Sequence, residues 1–205
     1  MSIGQQLQVT IISALDALVP MLRELPREDI FRQVCVVYVT DKEKQCDLFD
    51  PVKELVDKLP SAEIAAAKNM LISSIMLLSQ AAEDLDSIIA IGVGQPIMAV
   101  DVPRECDPKG TPALHMYVET QDDHGFFFFG LEDGILASSP IALPPFKMAP
   151  QLLKKAAVVR EFQQQWNLPV VALRNKWLEG LATPDPEVAQ LNKSLRAVDA
   201  IPAPA

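Results

Sequence analysis

The sequence predicts an α+β fold: a mainly antiparallel sheet with packed helices and a helical C-terminal region. Three observations carry this. Strand-like runs are bunched at 34–39 and 88–137 instead of alternating with helices. Helical periodicity flanks them on both sides. The stretch Ala113–Glu119 alternates cleanly, Leu114, Met116 and Val118 against His115, Tyr117 and Glu119, as a strand with two different faces does.

Taken in order, Ser2 and Gln5 make a capping-box pattern. Leu7, Ile11, Leu15, Leu18 and Leu22 then form an apolar stripe at helical spacing, bent or ended at Pro20. Val34–Val39 is a β-branched run that reads as a buried strand, bounded by a charged turn from Thr40 to Gln45. Asp50-Pro51 opens a short helix to about Leu59. Ser61 caps a longer one to about Asp84, whose stripe of Ile64, Ala67, Leu71, Ile75, Leu78 and Ala82 is flanked by further apolar residues. A helix apolar nearly all round is a buried one.

Ile88–Val93 and Ile97–Val102 read as two strands split by a tight turn that uses Gly92, Gly94 and Pro96. Asp122–Gly125 reads as a four-residue loop into Phe126–Phe129. That loop pairs Thr120 with Phe127, Val118 with Phe129 and Tyr117 with Gly130. It puts Phe126 and Phe128 on the face of His115, Tyr117 and Glu119; a three-residue loop swaps the faces. Prolines 140, 144, 145 and 150 lead into two helices, one outlined by Leu152, Ala156, Val159 and Trp166. The other is outlined by Val170, Leu173, Trp177 and Leu181 and closed by Gly180. Residues 1–182 are expected to form one domain. Residues 183–205 form a Pro-rich hinge, a short amphipathic helix with Val188, Leu191, Leu195 and Val198 on one face, and a tail: together, an arm.

Composition narrows the function classes. Hydrophobic residues are 49% and charged residues 22% of 205, enough apolar content for a core without metal or disulfide support. The net charge is −9: residues 1–60 contribute −3, residues 61–145 −9 and residues 146–205 +3. An acidic body argues against nucleic acid or an anionic membrane surface as partner. No membrane span is expected, since the longest uncharged apolar stretch, 69–82, is too short. Cys35, Cys46 and Cys106 form no paired framework, which with the lack of a signal-peptide pattern points to the cytoplasm.

No catalytic motif is complete. G-x-S-x-G, the phosphate-binding loop and the dinucleotide fingerprint are absent, and Gly92-Val93-Gly94 stands alone. No cofactor is expected. His115, Tyr117 and Glu119 share a strand face and are the candidate acid/base group. Asp101, Glu119, Asp122, Asp123, Glu132 and Asp133 are the candidate metal carboxylates, without the spacing of a known ion-binding loop.

The leading expectation is therefore a non-catalytic interaction protein, a subunit, adaptor or chaperone-like component of an assembly. Its partners are proteins, a second copy of the chain among them. Phe126, Phe128 and Tyr117 are the candidate anchors on the sheet, and Leu191, Leu195 and Val198 those on the arm. Two alternatives compete. One is an acidic inhibitor or immunity-type protein that binds a basic enzyme. The other is a metal-dependent enzyme that uses the acidic hairpin.

Overall fold

The computed structural model describes residues 3–50, 75–97, 113–132, 135–136, 141–143 and 150–199, and the fold is α+β. Several expectations lie outside the described residues: the Ser2 cap, the helix from Pro51 to Leu59, the first part of the helix from Ser61, the run 98–102, Asp101, Cys106, Asp133, prolines 140, 144 and 145, and the tail 201–205. The chain groups into two compact units.

The first unit comprises Met1–Pro51 and Ile88–Pro145. Helices α1 (Ile3–Leu15), α2 (Leu18–Arg23) and the single turn α3 (Arg27–Ile30) precede the sheet. The sheet strands are β1 (Val34–Thr40), β2 (Lys44–Phe49), β3 (Ile88–Ile97), β4 (Ala113–Glu119) and β5 (His124–Glu132). They lie in the order β2-β1-β3-β4-β5, every neighbouring pair antiparallel. Two short strands, β6 (Ile135–Leu136) and β7 (Ile141–Leu143), also pair with β5.

The break between α1 and α2 falls at Asp16–Ala17, ahead of Pro20. Proline has no N–H for the carbonyl four residues back, and its ring collides with that carbonyl. The helix therefore yields at Asp16, and Pro20 sits in the first turn of α2, where proline is tolerated. Both helices lie on one face of the sheet. Ile11, Ala14, Leu15, Leu18 and Leu22 pack there against Cys35, Val37, Val39, Cys46, Ala90, Leu114, Met116, Val118, Phe127 and Phe129. Each strand contributes alternate residues to this core, as the pleat requires.

Strand β2 departs from the sequence expectation of a turn that runs to Gln45. The turn is residues 41–43: Thr40 Oγ1 accepts from the N–H of Lys42 (3.2 Å) and Glu43 (3.1 Å), and Thr40 N–H donates to Glu43 O (2.9 Å). The hairpin then runs on through Lys44–Phe49, which buries Cys46 and Phe49 and exposes Lys44, Gln45 and Asp47. Such charges suit an edge strand.

Gly92 and Gly94 do not make the expected turn. β3 is continuous, pairing with β1 up to Cys35↔Gly94 and with β4 from Ile91↔Glu119 to Ile97↔Ala113. Pro96 lies beyond the last β1 partner, where its missing N–H costs no ladder bond on that side. The glycines instead make room for the core side of β4: a Cβ at Gly94 would stand 2.6 Å from Met116 Cγ.

The second unit comprises Val52–Ser87 and Phe146–Ala205. Its described part is helix α4 (residues 75–83), a 3-10 turn at Leu85–Ser87, α5 (Leu152–Trp166), α6 (Val170–Ala182) and α7 (Pro186–Asp199). Ile75, Leu77, Leu78, Ser79, Ala81 and Ala82 of α4 are all buried, so it is enclosed nearly all round, as its composition implies. Arg174 Nη2 donates to Met76 O (3.1 Å), and Arg160 pairs with Asp86 (2.9 Å). Asn167 ends α5 in the left-handed region (φ 51°), with the N–H of Leu168 bonded to Gln163 O (3.1 Å).

Asp185 caps α7: its Oδ1 accepts from the N–H of Glu187 (2.7 Å) and Val188 (3.2 Å), and Pro186 follows at the first helical position. Gly180 lies inside α6 and does not close it. A Cβ there would meet the Val188 side chain at 2.8 Å, so the glycine lets α7 approach α6 closely. Gly180→Ala gains intrinsic helix propensity worth about 1 kcal/mol but forces Val188 outward. We expect no net gain in thermal midpoint, and Val188→Ala should cost less in the Gly180→Ala background than in wild type, because it also relieves the clash.

Candidate functional site

The chemistry-bearing residues of the sheet gather on the hairpin of β4 and β5, on the face opposite α1 and α2. The turn is Thr120–Asp123, not the expected Asp122–Gly125. Thr120 Oγ1 accepts from Asp123 N–H (2.9 Å) and donates to Asp123 O (3.0 Å), and Asp123 Oδ1 accepts from His124 N–H (2.8 Å). These side-chain bonds draw the turn two residues earlier than the glycine suggested. His124 and Gly125 thereby become strand residues.

The register shifts accordingly. Tyr117 faces Phe126, Met116 faces Phe127 and His115 faces Phe128, while Gly130 lies opposite Ala113 instead of Tyr117. The slip is even, so the faces stay as expected: Phe126 and Phe128 share theirs with His115, Tyr117 and Glu119. Phe127 and Phe129 enter the core under the helices.

On the shared face the rings form a continuous row. His115 stacks on Phe128 (centroids 4.6 Å apart, planes at 19°) and on Phe126 (5.4 Å, 26°). Phe126 meets Tyr117 at 4.9 Å, and Tyr117 meets the edge of His124 at 6.4 Å. Phe128 and Tyr117 are buried, while Phe126, His115 and His124 are half-buried, so the row has an open rim. Tyr117 donates its phenol proton to Glu119 Oε1 at 2.6 Å, and Glu119 is 0% exposed. A buried carboxyl group is costly unless hydrogen-bonded, and Tyr117 supplies such a bond.

Burial first, and then the bond to Glu119, push the Tyr117 phenol well above its ordinary range. The folded state therefore holds that proton more tightly than the unfolded chain. Stability from Tyr117 is complete below the unfolded value near 10 and declines as pH rises past it. The urea midpoint of the wild type should fall between about pH 9 and 11, and the fall should be shallower in Tyr117→Phe.

His115 shifts the other way, its pKa lowered by burial. The folded state binds that proton less well than the unfolded chain, so stability declines as pH drops below the ordinary value of about 6.5. An NMR titration should place the His115 midpoint below 6.5, the ordinary histidine value.

These positions give three of the candidate acid/base and metal residues, Glu119, His115 and Asp123, structural roles. Glu119 is held by Tyr117, His115 lies between two phenylalanines, Asp123 holds the turn, and Asp122 is exposed. Among the described residues, no three His, Cys, Asp or Glu side chains come together as a metal site. Among them, too, no helix is long and apolar enough to cross a membrane.

The arm residues lie in the second unit. Leu191 (0% exposed), Val188 and Val198 are buried and Leu195 is half-buried, with α7 packed on α5 and α6. Trp177 Nε1 donates to Asn192 Oδ1 (2.9 Å), Lys155 pairs with Asp199 (2.6 Å), and Lys176 pairs with Glu187 and lies 5.0 Å from the Trp166 ring.

Sequence reasoning missed one further grouping. Cys35 and Cys46 are buried free thiols whose Sγ atoms are 3.4 Å apart. The alternation of Cys46 and Leu48 with Gln45 and Asp47 could have revealed β2 and hence this pair. No known family model matches the chain, and comparison with curated proteins and with solved structures finds no significant match.

Proposed function

We propose that the chain is a non-catalytic interaction protein that binds a protein partner through the open rim of the β4–β5 hairpin. The observation that supports this reading is the ring row Phe128–His115–Phe126–Tyr117, rigid by mutual stacking and half-open at Phe126, His115 and His124. Preorganised aromatic rings are what binding hot spots are made of, since little side-chain entropy remains to be lost. The engagement of Glu119, His115 and Asp123 in packing and turn bonds weighs in the same direction, because each already has a structural role.

The test compares wild type with Phe126→Arg, purified with a tag from the native cells at moderate salt. Stoichiometric partners lost in the variant, with circular dichroism and thermal midpoint retained, are the expected result. A wild-type chain that stays monomeric and brings nothing with it overturns the proposal. The rim lies beside Asp122 and Asp123, so a partner surface carrying Arg or Lys would bind with a rate that falls as salt rises.

A further inference from the structure

The core between β1, β2 and α1 contains two sulfurs with no assigned role. Cys35 is 0% exposed and lies on β1; Cys46 is 7% exposed and lies on the edge strand β2. They are diagonal neighbours, Cys35 opposite Leu48 and Cys46 opposite Val37, and both point to the helix-covered face. Their Sγ atoms are 3.4 Å apart. Disulfide closure needs about 2 Å, so side-chain rotation and a movement of β2 must bring the sulfurs closer than their present 3.4 Å.

We propose that Cys35 and Cys46 form a peroxide-responsive thiol pair that closes to a disulfide and fastens the edge strand β2 to β1. Cys46 reacts first, because it alone of the two has exposed surface and it sits on β2, at the end of the strand order, where local opening is easier than at the centre of a sheet. Its thiolate attacks one peroxide oxygen, the O–O bond breaks, and hydroxide leaves with a proton as water, giving a sulfenic acid. The Cys35 sulfur then attacks the Cys46 sulfur and displaces the hydroxyl, which takes the Cys35 proton and leaves as a second water. The protein loses two protons and two electrons, together two hydrogen atoms, and the peroxide gains them. Cys35 suits the second role: its hydrogen bond to Cys46, and then burial, hold its thiol above the ordinary range, so it is a poor first nucleophile.

The closed bond constrains β2, which ends the strand order of the sheet among the described residues. β2 is held on one side by β1, and to α1 by the bond from Lys44 Nζ to Ser13 Oγ (2.9 Å). Among the described residues β2 has one strand partner, and a covalent link to that neighbour suppresses local opening of the pair.

The test treats the intact protein with hydrogen peroxide near pH 8, blocks remaining thiols under denaturing conditions and maps the peptides. The expected product has lost two hydrogens and yields a linked Cys35–Cys46 peptide that dithiothreitol separates. Amide exchange in Lys44–Phe49 should slow about tenfold in the oxidised form. In Cys35→Ser, a dione reagent should trap a sulfenic acid at Cys46. The proposal is overturned if both cysteines of the folded wild type stay alkylatable while Cys106 oxidises. It is equally overturned if the link forms only after denaturation, or forms without slowing exchange in β2.

Discussion

Replacing Gly94 with alanine is expected to destabilise the protein by about 3 kcal/mol or more, the upper end of what an inserted methyl group costs in a packed core. The added Cβ would lie 2.3 Å from the His115 carbonyl oxygen, 2.6 Å from Met116 Cγ and 2.9 Å from Met116 Cα. Two of these are backbone atoms and the third is next to the backbone, so no flexible side-chain end can swing away. Relief requires β3 and β4 to part, in the middle of a ladder that runs from Ile91↔Glu119 to Ile97↔Ala113. Alanine narrows the unfolded ensemble and so recovers at most about 1 kcal/mol.

Two other glycines calibrate the result. At Gly92 the nearest atoms, Tyr117 O and Val118 Cγ2, lie at 3.1 Å, and at Gly125 the nearest is the Phe127 ring at 3.4 Å. Urea midpoints should therefore rank Gly125→Ala closest to wild type, Gly92→Ala lower by about 1 kcal/mol, and Gly94→Ala far below both. A Gly94→Ala variant as stable as Gly92→Ala would show that β3 and β4 are not in this register. The ring row on the opposite face would then lose its basis too.

The parts of the fold legible in the sequence are those where one physical requirement dominates. Val34–Thr40 is rich in β-branched residues and buried along its whole length, and Ala113–Glu119 alternates because its two faces meet different surroundings. The even register slip spared the face assignment of Phe126 and Phe128 while moving every pairing, because the pleat has a period of two and the turn alone sets the register. Thr120 set that turn through its own hydroxyl, a signal weaker in sequence than Gly125.

β2 was obscured because an edge strand carries charges to avoid unwanted pairing, and charges read as turn. Gly92, Gly94 and Gly180 were misread for one reason: a glycine that admits a neighbouring side chain looks the same in sequence as one that bends the chain. The candidate site divides likewise. Its residues and their common face were readable, but the burial of Glu119 and the meeting of Cys35 with Cys46 depend on strand neighbours that no local pattern encodes.

Replacing Trp177 with alanine is expected to cost about 3–5 kcal/mol, the range for deleting a large aromatic from a core. Trp177 is 0% exposed and is tied to α7 by its bond to Asn192. The packing and the bond separate in a double-mutant cycle. Trp177→Phe should cost about 1–2 kcal/mol, and Asn192→Ala should cost about 1 kcal/mol in wild type and close to nothing in the Trp177→Phe background. Full additivity would mean that the indole and the amide do not interact in solution. The surface pairs of Lys155 and Lys176 contribute little by comparison, since exposed ion pairs are typically worth under about 1 kcal/mol. The hold of α7 on α5 and α6 then comes from burying Val188, Leu191 and Val198 and from capping by Asp185. An amphipathic stripe looks the same in sequence whether it docks on its own chain or on another. Trp177 distinguishes them: if α7 leaves for a partner, the indole loses Asn192 and its fluorescence shifts to the red. A truncation after Ala182 should produce the same shift together with a fall in stability as large as that of Trp177→Ala. Partner loss on such a truncation would therefore report damage to the helical unit unless the red shift is absent.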